Sequence, residues 1–172
     1  SVDVAGTITG DDDVCQGQAG VAYDIPAITN ATGYIWTLPP GATIVSGANT
    51  ASIIVNFANN ATSGDVTVKG TSSCGEGTVA TFPVQVDVLP GAAGAISGTA
   101  IVCQGTSNVI YTVPPIAAVT DYIWTLPSGA TIVSGDNTNS ITVDYDIAAI
   151  SGNITVKGNN ACGDGVASSL AI

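Results

Sequence analysis

Four cysteines, a run of three aspartates and two lysines are the residues best able to do chemistry in this chain of 172 residues. The cysteines are Cys15, Cys74, Cys103 and Cys162, and both successive pairs, 15 to 74 and 103 to 162, lie 59 residues apart. A structural zinc site would want four thiolate or imidazole ligands, usually with a close Cys-x-x-Cys spacing. Here there is no histidine and no such spacing. Disulfides in an oxidising compartment are the favoured reading. One bridge per half is expected, Cys15 with Cys74 and Cys103 with Cys162. Closing a loop of that length is worth roughly 4 kcal/mol in the chain-entropy model, a large share of a small domain's stability.

Asp11, Asp12 and Asp13 offer clustered hard oxygens of the kind Ca²⁺ takes. Their counterparts in the second half are Thr99, Ala100 and Ile101, so the cluster is not a feature of the repeated unit, and a solvated turn is the favoured reading. Asp144 and Asp146 flank Tyr145 and form a weaker second candidate. Lys69 and Lys157 are the only basic side chains. They occupy matching positions and could form isopeptide links, although a solvated or salt-bridged strand lysine is the simpler expectation. Asn30, Asn60 and Asn153 each begin an Asn-x-Thr triplet and are candidate glycan acceptors. Catalysis has little support. Without histidine there is no triad, every cysteine is assigned to a bridge, and nothing places a carboxylate pair such as Asp11 and Asp13 in a cleft. The chain is expected not to be an enzyme and to need no cofactor beyond a possible Ca²⁺.

Thirteen acidic residues against two lysines give a net charge of −11. That balance repels phosphate backbones and anionic membrane surfaces, which argues against nucleic-acid binding. No run of about 20 apolar residues is present to span a membrane. Few charges amid abundant Thr, Ser, Asn and Gly describe a surface solvated by hydroxyls and amides, as in exported β-rich proteins.

The elements that must position these residues come as a duplication. Tyr34-Ile-Trp-Thr-Leu-Pro-Pro-Gly-Ala-Thr-Ile-Val-Ser-Gly47 recurs as Tyr122 to Gly135 with Ser128 in place of Pro40. Val14-Cys-Gln-Gly17 matches Val102 to Gly105, Thr67-Val-Lys-Gly70 matches Thr155 to Gly158, and Cys74-Gly-Glu-Gly77 matches Cys162-Gly-Asp-Gly165. All are offset by 88 positions, so two tandem domains are expected, 1–89 and 90–172. Within a copy, short period-two segments are punctuated by Gly, Pro, Asn and Asp, and helical periodicity is absent. The pattern predicts an all-β fold of two antiparallel β-sandwiches with about seven strands each. In the first copy the strands fall near 6–9, 18–25, 34–38, 43–46, 52–57, 65–71 and 78–88. Tyr34, Trp36 and Leu38 share one face, as do Tyr122 and Trp124, and these aromatics are expected to anchor the two cores. Val66 and Val68 face inward while Lys69 faces out. Leu89-Pro-Gly-Ala-Ala-Gly94 reads as a short linker.

Taken together, these motifs resemble the PKD-like, Ig-like repeats of very large Bacteroidetes surface and secreted proteins. The order is Cys, Tyr-x-x-Pro, Tyr-x-Trp-x-x-Pro-x-Gly-Ala-x-Ile, Ser-Ile-x-Val, Thr-Val-Lys-Gly, Cys-Gly-x-Gly. The resemblance covers both copies nearly end to end. It implies a tandem sandwich module in an extracellular or cell-surface protein, and it brings no catalytic residues. The better-known PKD pattern carries Gly-Asp-Gly after its Trp strand. Pro39-Pro40-Gly41 and Pro127-Ser128-Gly129 stand there instead, so no role is carried over for that aspartate.

The two ends carry a further expectation. Ile172 matches Val84, so Leu170-Ala-Ile172 reads as an incomplete last strand. Ser1-Val-Asp-Val4 mirrors Gln85-Val-Asp-Val88 and reads as the tail of a preceding repeat's last strand. Head-to-tail continuation follows, in a covalent array or by strand exchange between subunits. The favoured function is a structural one, a surface filament, stalk or adhesin shaft whose chief partner is itself. The alternative is a carbohydrate-binding or spacer module of a secreted polysaccharide-degrading enzyme, with Phe57 and Tyr145 as its aromatic contacts. A surface glycan or a protein ligand remains open as a partner, because the loops at 27–32 and 117–121 differ between copies.

Overall fold

A computed structural model describes all 172 residues. The chain divides into two compact units, Ser1–Val88 and Leu89–Ile172. The division falls one residue before the boundary expected from the sequence.

The first unit contains β1 (Thr9–Gly10), β2 (Asp13–Cys15), β3 (Val21–Asp24), β4 (Gly33–Thr37), β5 (Ala42–Ser46), β6 (Ser52–Phe57), β7 (Gly64–Ser72), β8 (Gly75–Glu76) and β9 (Ala80–Asp87). One sheet has the order β1-β3-β6-β5. The other has the order β2-β9-β7-β4, with β8 paired to β7. The expected seven strands are there in outline, and β2 and β8 are additional. The surprise is β2, which runs parallel to β9, placing Val14 opposite Val86 and Cys15 opposite Asp87. The other pairings of the unit are antiparallel, as expected of the sandwich. The segment after Asp11-Asp12 reaches across to the outgoing strand instead of remaining a free turn.

Alternation decides which side chains meet between the sheets. Along β7, Val66 and Val68 are fully buried while Asp65 is exposed. Along β6, Ile53, Val55 and Phe57 point inward and oppose Tyr23 and Val21 from β3. Trp36 is buried, and its indole N–H donates to Thr50 O at 2.9 Å, so the ring fills the core without stranding a donor. A bulge between Ile44 and Ser46 turns Ile44 toward the core and leaves Val45 more than half exposed. The turn into β6 needs Gly47. Its φ is +79°, and a Cβ there would lie 2.0 Å from Ser52 O.

The second unit repeats the plan with β10 (Ser97–Gly98), β11 (Val109–Thr112), β12 (Asp121–Thr125), β13 (Ala130–Ser134), β14 (Ser140–Tyr145), β15 (Asn153–Asn160), β16 (Gly163–Asp164) and β17 (Ser168–Ala171). Its sheets are β10-β11-β14-β13 and β12-β15-β16, with β17 on β15. Tyr111, Ile141, Val143, Ile154 and Val156 form the core, and Trp124 N–H donates to Thr138 O at 2.8 Å. The counterpart of β2, residues 101–103, is not in a strand. No helix of the chain is long and apolar enough to cross a membrane.

Candidate functional site

Each sandwich has two poles, and the cysteines mark them. In the first unit Cys15 lies beside Asp87, where β9 runs out past Gly64, the first residue of β7. Cys74 lies in the turn between β7 and β8, past Ser72 at the other end of β7. Eight residue steps separate Gly64 from Ser72, so at about 3.3 Å each the two poles are roughly 26 Å apart. A disulfide spans a Cα separation of only about 4.4–6.8 Å. The second unit is built alike. Gln104 beside Cys103 donates to Ala149 O, near the Gly152 end of β15, and Cys162 sits in the hairpin beyond Asn160 at its other end.

The expected pairs, Cys15 with Cys74 and Cys103 with Cys162, are therefore not formed. Cys74 and Cys103 are exposed free thiols, whereas Cys15 and Cys162 are disulfide-bonded.

The two units differ most at the pole where the chain leaves. In the first, β9 covers β2. Val14 is 1% exposed and Val86 7%, and Val86 N–H donates to Ser63 Oγ at 2.9 Å. In the second, residues 101–103 pair with no strand. Val102 is only half-buried, and Ile101 is 89% exposed. A cavity of about 210 Å³ opens there, lined by Val102, Cys103, Gln104, Tyr145, Ala149 and Ile172 among others. Ser151, the register partner of Ser63, also lines it.

Most of the remaining candidates have structural uses. Asp11 and Asp12 serve through their backbones: Tyr23 Oη donates to Asp11 O at 2.9 Å, and Gln85 N–H donates to Asp12 O at 2.7 Å. The three aspartates do not converge with other ligands, and no group of three or more His, Cys, Asp or Glu side chains gathers as a metal site. Asp144 accepts from Asn108 N–H and Asp146 from Ala148 N–H, both at 2.7 Å, so the first carboxylate ties the segment before β11 to β14 and the second closes a turn. Lys69 pairs with Glu76 and Lys157 with Asp164 across their hairpins. The hydrogen bonds from Lys157 and Asn159 hold the Asp164 carboxyl below its usual range. Asn30, Asn60 and Asn153 are exposed. Phe57 and Tyr145, the aromatics named for a sugar platform, are 2% and 4% exposed and unable to present one. Tyr145 Oη instead meets Tyr111 Oη at 2.8 Å. Burial first, and then this bond, raise the pKa of Tyr111.

The anchoring aromatics and the ends complete the picture. Tyr34 and Tyr122 are half-buried, and each phenol oxygen accepts a backbone N–H, from Ile28 at 3.2 Å and Ile116 at 3.0 Å. These bonds pin the loop after β3 and its counterpart. Val2 belongs to the core of its own unit, packed by Gly70 and Gly77 at the Cys74 pole, and Asp3 N–H donates to Thr29 O. Pro90 and Gly91 repeat both arrangements in the second unit. Ser1–Val4 thus serves its own sandwich as a lead-in, and lies in no strand. Leu170 and Ala171 pair with Ile154 and Asn153, and Ile172 exchanges backbone hydrogen bonds with Gly152.

The model of the PKD-like domain matches twice, at residues 1–84 and 89–172. The chain belongs to the PKD-like domain family. The two matches keep the offset of 88, and only 85–88 falls between them. Among solved structures, the tandem of PKD-like units is similar to the titin I-band fragment I67-I69, with 14% identity, a TM-score of 0.55, and 95% of this chain and 65% of that chain covered. It is also similar to titin domains A168-A170, with 12% identity, a TM-score of 0.57, and 96% and 64% covered. The PKD-like chain spans just under two thirds of both titin fragments. A third likeness is to a mouse coronavirus receptor-binding domain complexed with its murine receptor, at 15% identity, a TM-score of 0.51, and coverage of 95% and 98%. At these identities the likeness is one of fold, that of tandem Ig-like sandwiches. No curated protein matches the sequence.

Proposed function

We propose that this chain is a non-catalytic structural module of an extracellular filament, stalk or adhesin shaft, extended by head-to-tail continuation of PKD-like sandwiches. One observation carries the reading. Each sandwich takes the chain in at the Cys74 or Cys162 pole, where Val2 and Pro90 pack, and the first releases it along β9 at the opposite pole. A module with entry and exit at opposite ends gains length with every repeat. The titin likeness agrees with a repeat module of this kind. A net charge of −11 would hold neighbouring filaments apart. Location outside the cell, on a surface of the kind the Bacteroidetes resemblance implies, accords with a chain that carries a disulfide.

The carbohydrate-module alternative is weakened because its aromatic contacts are buried. Electron microscopy of the native material tests the main reading. Extended fibres with a two-module axial repeat are expected, and dispersed particles of 16.9 kDa would overturn it.

A further inference from the structure

We propose that Cys103 and Cys74 are the two halves of a disulfide between successive copies of this chain, joining the Cys103 pole of one to the Cys74 pole of the next. The proposal rests on the head-to-tail reading above and adds its chemistry.

Three observations lead to it. First, the two cysteines of a sandwich stand at opposite poles, so no cysteine can find its partner inside its own sandwich. Second, each free thiol is the register equivalent of a bonded one: Cys103 of Cys15, and Cys74 of Cys162. The local frames also agree. Cys15 O accepts from Gln18 N–H at 3.1 Å, and Cys103 O accepts from Thr106 N–H at 3.2 Å. Cys162 N–H donates to Asn160 Oδ1 at 2.9 Å, and Cys74 N–H donates to Ser72 Oγ at 3.1 Å. The turn beside each bonded cysteine is reproduced beside its free equivalent. Third, Cys103 lines the cavity at the exit pole, where its equivalent Cys15 lies against a β-strand. Both free thiols are exposed, so neither is shielded from a partner.

The reaction is thiol–disulfide exchange. The Cys103 thiolate attacks a low-molecular-weight disulfide, expelling one thiol and leaving a mixed disulfide. The Cys74 thiolate of the neighbouring copy then attacks that mixed disulfide at the Cys103 sulfur and expels the second thiol. Two protein thiols are oxidised to one disulfide. The external disulfide takes up the two electrons and two protons and departs as two thiols.

The test uses two variants, Cys74→Ser and Cys103→Ser, each checked for folding by its tryptophan fluorescence and incubated with glutathione disulfide, singly and mixed. The mixture is expected to give at least about tenfold more disulfide-linked dimer than either variant alone, because docked poles raise the effective concentration of the two thiols. Peptide mapping without reduction should find Cys103 joined to Cys74. The unsubstituted chain should give a ladder in steps of 16.9 kDa that collapses on reduction. Equal dimer yields from the single variants and the mixture, or glutathione adducts alone, would overturn the proposal. Native fibres that keep their axial repeat while both thiols remain open to alkylation would also overturn the disulfide, yet leave the filament reading intact. A Cys103-to-Cys74 ladder from material that shows no fibres would support the disulfide and count against the filament.

Discussion

Val14 and Val102 are the same residue of the same Val-Cys-Gln-Gly motif in two environments, and truncating each to alanine should have unequal consequences. Val14 is 1% exposed beneath β9, opposite Val86. Val14→Ala removes two methyl groups from a closed site. At about 0.8 kcal/mol per buried carbon, with a further contribution from the cavity left behind, the loss is about 2 kcal/mol. For a unit of this size that lowers the melting temperature by roughly 8–16 °C. Val102 is half-buried at the edge of the open cavity. Part of its side chain already meets water, so Val102→Ala should cost less than Val14→Ala, about 1 kcal/mol.

Urea unfolding followed by tryptophan fluorescence can read the two units separately, since Trp36 reports the first and Trp124 the second. Trp36→Phe and Trp124→Phe backgrounds assign the transitions. A peptide copying Pro83–Val88, added in trans, should raise the midpoint of the second unit and leave the first unchanged. Equal losses from the two alanine substitutions would refute the view that the parallel β2–β9 pairing seals one exit pole while the other stands open.

Three further outcomes are expected. Gly10→Ala and Gly98→Ala should each cost about 2 kcal/mol or more in urea titrations, because a Cβ at either site falls 2.3 Å from the ring of Tyr23 or Tyr111. Tyr23 is pushed up from 10.0 to about 12 by burial, then by Asp11 and Asp12, and Tyr111 is raised by burial and by Tyr145. The folded form thus keeps protons that the unfolded chain releases. This stabilisation is complete below pH 10 and, for Tyr23, is lost as pH rises from 10 through about 12. The urea midpoint should fall over that window, with tyrosinate absorbance lagging behind that of the unfolded chain. Neither Ca²⁺ nor EDTA should move the melting temperature, since Asp11, Asp12 and Asp13 do not converge on a site.

What the sequence revealed most directly was the interior. Period-two alternation in Asp65-Val-Thr-Val-Lys and Ser-Ile-Ile-Val is a local property, and burial of Val66, Val68, Ile53 and Val55 follows it residue by residue. Asn and Gly at the turns did the same for strand ends. The parallel β2–β9 pair was hidden for the opposite reason. Three residues of Asp-Val-Cys carry no alternation long enough to read, and their partner lies some 70 positions away in sequence. The buried state of Phe57 and Tyr145 was within reach. Both stand on the inward parity of Ser52–Phe57 and Ser140–Tyr145, with Ile53 and Val55 or Ile141 and Val143.

The cysteines mislead through equal spacing, and strand counting corrects them. Between Cys15 and Cys74 the chain crosses the sandwich along β3, β4, β5, β6 and β7. Each crossing reverses direction, and an odd number of crossings ends at the pole opposite the start. The segments legible in the sequence already number five between these cysteines. An even number would have returned the second cysteine to the first and allowed an internal staple. With five, a bridge inside the sandwich would have to run the length of β7. Each PKD-like unit consequently folds without the roughly 4 kcal/mol that closing its own loop could have supplied. It stands instead on a core of Tyr, Ile and Val that is almost fully excluded from water. The cysteines are thereby released from stabilising their own sandwich, and Cys74 and Cys103 stand exposed at its poles. Under the head-to-tail arrangement proposed above, a covalent link at such positions would strengthen the joints, whereas an internal staple would strengthen each unit and do nothing for the joints between them.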